Sequence, residues 1–178
     1  MCWSAGASVA MVAAGAAGTA IAIHRRETPA IPATFAYFTF MEALQAASYP
    51  VVDQCGAPSN QVLTLLSYLH ITFQPFFANA FAMAILGHAV GMRTKVIAYT
   101  VCGISAAMML VQLMPMEWAG QCQLGWAMCG AGLCTVSGDW HIGWNVPYNA
   151  IVPPFPDLPG MHVVFPSYFV AAFVVPLF

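Results

Sequence analysis

Charge is what this sequence lacks. Its 178 residues include four Lys/Arg and six Asp/Glu, 6% of the chain, where a soluble domain carries about 25%. Four cations cannot build a basic patch, which excludes a nucleic-acid partner. A chain that is 61% hydrophobic is not disordered, and it has too little polar surface to cover itself as a soluble enzyme. Familiar chemical signatures are missing too. There is no G-x-x-x-x-G-K-[ST], G-x-G-x-x-G or H-E-x-x-H, no G-x-S-x-G elbow, no C-x-x-C pair and no arginine ladder. No internal repeat of the transporter kind is visible.

What is present is long apolar runs. Crossing about 30 Å of hydrocarbon takes around 20 apolar residues, and residues 4–23, 33–52, 62–87 and 96–114 meet that test. A fifth run, 161–178, is just long enough although Pro166 and Pro176 interrupt it. None alternates as a barrel strand does, so helices are expected. The expected fold is an all-α polytopic transmembrane bundle of at least five spans in one domain, residues 1–178, with an external cap at 115–160.

The four cations set its orientation. Arg25 and Arg26 follow the first run, Arg93 and Lys95 the third. The positive-inside rule makes those connections cytoplasmic and places the N-terminus, the 52–61 connection and the cap outside. The first run lacks the preceding cations of a signal peptide and reads as a retained helix, thin along Gly6, Ala10, Ala14, Gly15 and Gly18. A bacterial cytoplasmic membrane with a periplasmic cap is the implied location.

Cysteines agree independently. Cys2, Cys55, Cys122, Cys129 and Cys134 all fall outside, where thiols oxidise, while Cys102 lies within a helix. Bridges Cys129–Cys134 and Cys55–Cys122 are expected. Zinc held by Cys122, Cys129, Cys134 and His141 is a weak alternative, because two of their three gaps, of six, four and six residues, are wider than the C-x2-4-C pairs of structural sites. Trp118, Trp126, Trp140, Trp144 and Tyr148 are expected at headgroup level. Gly138–His141 and Asn145–Asn149 read as turns, and Pro153–Pro156 as an extended lead into the last run.

Polar side chains within spans are expensive and therefore candidates for function. Glu42, Gln45 and Tyr49 recur at i, i+3, i+7 on the second helix, and Ser67, His70 and Gln74 do so on the third. With the intervening turn centred on Gly56, Glu42 and His70 each lie 14 residues away and should face each other at equal depth. Such a pair would lock helix register, ligate a metal or haem through His70 and Glu42, or relay protons.

Several strings carry a resemblance: Met1–Ser4, Met41–Ala46, Val52–Gly56, Tyr68–Ile71 with Gln74–Phe77, and Cys134–Ile142. Together they resemble a bacterial family of multi-spanning membrane proteins of unknown function. The resemblance covers the whole chain and implies one or two further helices beyond it, but no activity, cofactor or catalytic residue. The absence of cations behind the last run likewise suggests a chain that continues past Phe178. The expected function is an accessory or scaffold subunit packing against other membrane subunits, the lipid bilayer or pigments. The alternative is an intramembrane metal- or haem-dependent enzyme or redox and proton carrier using the Glu42/His70 face.

Overall fold

The computed structural model describes residues 4–123, 126–138, 141–152 and 165–177. Four long helices organise it: α1 Ala5–His24, α2 Ala30–Ser48, α3 Pro58–Leu86 and α4 Met92–Gln112. Ser4 caps α1, its hydroxyl accepting from the Ala7 amide at 3.1 Å. Pro58 opens α3, where its missing N–H costs nothing. Both α3 and α4 begin before the apolar runs do, because their first turns are polar: Ser59, Asn60 and Gln61 in one, Arg93, Thr94 and Lys95 in the other.

Successive helices are antiparallel. Gly15 lies against Thr39 and Gly18 against Phe35. Thr34 and Tyr37 of α2 donate to the Phe77 and His70 carbonyls of α3. Tyr68 donates to the Met109 carbonyl, and Asn79 reaches Cys102. Arg25, Arg26, Arg93 and Lys95 therefore gather at one end, and the α2–α3 turn with the cap at the other.

Among the described residues three helices, α1, α3 and α4, are long and apolar enough to cross a membrane. At least five spans are therefore not supported. Helix α2 is long enough, but Glu42, Gln45, its threonines and Pro32 reduce its hydropathy. The described part of the expected fifth span forms α5 Pro166–Phe169, a π turn Val170–Val174 and a 3-10 turn Val175–Leu177. This stretch rises only about 18 Å. Cys2, Asp139, Trp140, Pro153–Pro156, Asp157 and His162 lie outside the described residues.

The all-α expectation also needs correcting. In the cap, β1 Cys134–Ser137 pairs antiparallel with β2 Ile142–Asn145, Ser137 opposite Ile142. Thr135, Val136, Ile142 and Trp144 are strand formers around the Gly138 turn. Strand β1 docks on the α2–α3 turn. The Asp53 amide donates to the Thr135 carbonyl at 3.0 Å. The Asn60 carboxamide donates to the Val51 and Thr135 carbonyls at 2.7 and 3.0 Å and accepts the Thr135 N–H at 2.8 Å.

That docking decides the disulfides. It carries Cys134 to Cys55, and Cys122 closes on Cys129. The expected Cys129–Cys134 and Cys55–Cys122 partners are replaced, and the thiols offered to zinc are consumed. Cys102 is a buried free thiol. Across the cap, Asn149 donates to the Val111 and Met114 carbonyls, both at 2.9 Å, and so satisfies orphan groups at the end of α4. Tyr68, Met109, Val146, Tyr148 and Phe165 form the core between helices and cap. Tyr148, expected at headgroup level, is fully buried there and donates to the Ala127 carbonyl at 3.2 Å; burial raises its pKa above the ordinary phenol value. Trp118 is exposed.

Candidate functional site

Helix α2 has two working faces. Thr34 and Tyr37 look toward α3. Phe35, Phe38, Thr39, Glu42 and Gln45 recur every three or four residues and look toward α1 and the cap. Between these elements lies a cavity of about 820 Å³. Its α1 wall includes Met11, Ala14, Gly15 and Gly18. Gly15 is needed for close approach, since a β-carbon there would meet Thr39 Oγ1 at 2.1 Å. Strand β2 supplies the lid, with Ile142, Gly143 and Trp144 beside Met128 and His141.

The cavity is apolar at its inner end and polar under the lid. Phe35 and Phe38 lie toward the cation-bearing end of the bundle, and Glu42 and Gln45 toward the cap. Met11, Phe35 and Phe38 are also partly exposed, so the apolar wall continues onto the outer surface of the bundle. Three buried polar atoms on the lining side chains have no hydrogen-bond partner among the described residues: Glu42 Oε2, Gln45 Oε1 and Trp144 Nε1. Gln74 accepts from the Tyr168 hydroxyl at 3.0 Å, and His141 Nδ1 bonds the Ile142 carbonyl at 2.8 Å.

Of the six residues placed by sequence on the polar faces, Glu42, Gln45 and Gln74 share this cavity. His70 does not. It stacks on Tyr37 at 3.9 Å between ring centroids and lines a separate aromatic groove of about 460 Å³ with Phe40, Phe73, Phe76 and Phe77. Both its ring nitrogens are buried without hydrogen-bond partners among the described residues. The expected Glu42–His70 pair is therefore not formed. Residue 37, which meets His70, is five residues from 42, about 140° around the helix. Ser67 is buried with an unpartnered hydroxyl, and Tyr49 sits in the 3-10 turn after α2. No group of three His, Cys, Asp or Glu suited to a metal ion occurs among the described residues.

Sequence reasoning overlooked Asn60, Gly15 as the partner of Thr39, and Trp144 as a cavity residue. Asn60 had one signal, an amide within the polar first turn of an otherwise apolar helix. Asp53 was also passed over. It anchors the hairpin through Ser137, whose hydroxyl and, at 2.8 Å, amide both donate to its carboxylate. Those bonds, the hydroxyl's first, lower the Asp53 pKa.

Against known proteins, residues 6–178 match the Family of unknown function (DUF5765). No curated protein and no solved structure matches the chain.

Proposed function

Because the chain belongs to that family, whose membership assigns no chemistry, we propose its function from the cavity: it is a membrane protein that binds an amphiphilic small molecule between α1, α2 and the disulfide-tied lid. One observation carries this reading. A space of about 820 Å³ has aromatic walls at one end and unpartnered Glu42, Gln45 and Trp144 atoms at the other. That volume and that mixture suit a lipid-sized ligand, and unpartnered buried polar atoms are costly unless something completes them. The partly exposed Met11, Phe35 and Phe38 give such a ligand a path from the bilayer.

This is the lipid-binding form of an accessory subunit. The outward apolar side chains of α3 and α4, among them Val62, Ile85, Val96 and Ile104, suit lipid or other membrane subunits. The positive-inside rule and the two bridges support a cytoplasmic cation-bearing end and a periplasmic cap in a bacterial cytoplasmic membrane. An intramembrane metal or haem site draws less support, since Glu42 and His70 line different cavities.

Purification in a mild nonionic detergent followed by native mass spectrometry tests the proposal. Wild type is expected to retain a molecule at fixed stoichiometry, and Gly18→Leu, which places a side chain in the cavity wall, to lose it. A wild-type protein with nothing stoichiometrically bound would refute it.

A further inference from the structure

If the cavity binds an amphiphile, as proposed above, its charge balance specifies the head. We infer that the cavity selects a protonated amine, the ammonium head of a long-chain amphiphile, because Glu42 lines it with a buried, unpartnered oxygen while every lysine and arginine of the chain lies at the opposite end. The four cations, Arg25, Arg26, Arg93 and Lys95, are all the chain has, and each sits at the helix ends remote from the cap. Glu42 lines the cavity with a buried, unpartnered oxygen. A carboxylate oxygen shielded from water is better tolerated when a counter-charge accompanies it, and no lysine or arginine lines this cavity.

The neighbours of Glu42 fit the same head. Gln45, only 4% exposed, brings a second unpartnered acceptor, its Oε1, and an ammonium has three N–H donors to divide between the two. Trp144 lines the polar end of the space, and an aromatic face attracts a cation within about 6 Å, while Phe35 and Phe38 line the inner end where the chain would lie. The Trp144 N–H is the complementary donor, suited to an oxygen near the amine, as in a long-chain amino alcohol. His141, the other titratable side chain on the wall, spends Nδ1 on the Ile142 carbonyl. An anionic head would meet Glu42 as a like charge, and a neutral head would leave it uncompensated. A free long-chain amine and an ethanolamine phospholipid both present this ammonium.

Saturable binding of three labelled probes of one chain length, dodecylamine, dodecanol and dodecanoate, to immobilised protein in alkyl maltoside separates the possibilities. Dodecylamine is expected to bind at least about tenfold more tightly than the other two. Glu42→Gln should abolish that preference, and Glu42→Asp, which keeps the charge, should retain it. If no probe binds saturably, the cavity reading itself fails. If dodecanol or dodecanoate binds as tightly as dodecylamine, or Glu42→Gln keeps the preference, the ammonium inference fails while the cavity stands. Should Glu42→Gln not fold, the wild-type ranking decides. Competition by phosphatidylethanolamine, with phosphatidylglycerol as control, assigns the source: displacement points to the phospholipid, and its absence to a free amine.

Discussion

Asn60→Ala should release the cap from the helices while leaving the bundle folded. The Asn60 side chain is fully buried and acts like a short strand edge toward Thr135, accepting its N–H and donating to its C=O while also holding the Val51 carbonyl. Three such bonds contribute about 1 kcal/mol each, and the Thr135 N–H is left unpaired in a dry place. The Thr135 carbonyl keeps the Asp53 amide. The net loss is about 3 kcal/mol of docking stability. Because the Cys55–Cys134 bridge still holds β1 nearby, the loss should register as local opening, not as separation of the cap.

Hydrogen exchange in micelles reads this directly. A loss of about 3 kcal/mol makes the Thr135 amide exchange more than about 100-fold faster, since each 1.4 kcal/mol is a factor of ten. Strand β2 should follow, because β1 is its partner, and with it the cavity lid. Asn60→Asp should do no better than alanine. It keeps an acceptor for the Thr135 N–H but turns a second oxygen on the Val51 and Thr135 carbonyls. Gln61→Ala, one residue on, removes only an exposed bond to the Cys55 carbonyl and should leave exchange unchanged. If Asn60→Ala matched wild type, the argument that this amide fastens the cap would be wrong.

Three further outcomes are expected. Gly15→Ala brings a β-carbon to 2.1 Å from Thr39 Oγ1 and 3.1 Å from Thr39 Cβ; overpacking of this kind costs about 1–3 kcal/mol in detergent unfolding titrations, and adding Thr39→Ala should recover part of it. Non-reducing peptide maps should show Cys55 linked to Cys134 and Cys122 to Cys129. Cys55→Ser should lower thermal stability more than Cys122→Ser, because it opens a separation of 79 residues rather than 7, worth roughly 4 kcal/mol for the longer loop on the chain-entropy account. The Asp53 pKa is depressed in the fold, so its contribution is present above the unfolded pKa of about 3.9 and disappears as pH falls through the folded value. The protection factor at Ser137, taken relative to the intrinsic exchange rate at each pH, should therefore fall in acid, and Asp53→Asn should flatten that dependence; an unchanged acid response in the variant would remove Asp53 from the account.

Much of the architecture was legible because lipid makes simple demands. Apolar length located α1, α3 and α4 to within a few residues, and Glu42, Gln45 and Gln74, singled out as sparse polar side chains, line one cavity. The four bridged cysteines were identifiable as a set, but their partners were not. Pairing depends on where β1 docks, and that is settled by Asn60 and Asp53 acting across more than 70 residues of chain, beyond any local pattern. The last run differs for a related reason: its apolar content satisfied a count of residues, while among its described residues Pro166 opens a short helix that gives way to π and 3-10 turns.

The missing Glu42–His70 pair shows which coordinate a membrane sequence withholds. Depth could be counted from the turn, and the Thr34–Phe77 contact lies within one residue of that count. Rotation about the helix axis could not. In water an apolar stripe marks the buried face, but in lipid both faces are apolar, so hydrophobicity says little about which side meets a neighbour. Packing detail decides instead. Gly15 admits Thr39 and turns one face of α2 to α1, while Tyr37 stacks on both His70 and Phe77 and fixes the opposite side against α3. Glu42, about 140° from Tyr37, is thereby turned away from the one imidazole at its depth and into a cavity that holds no lysine or arginine. The rotation that defeats the expected ion pair is the same one that leaves a carboxylate available to a ligand.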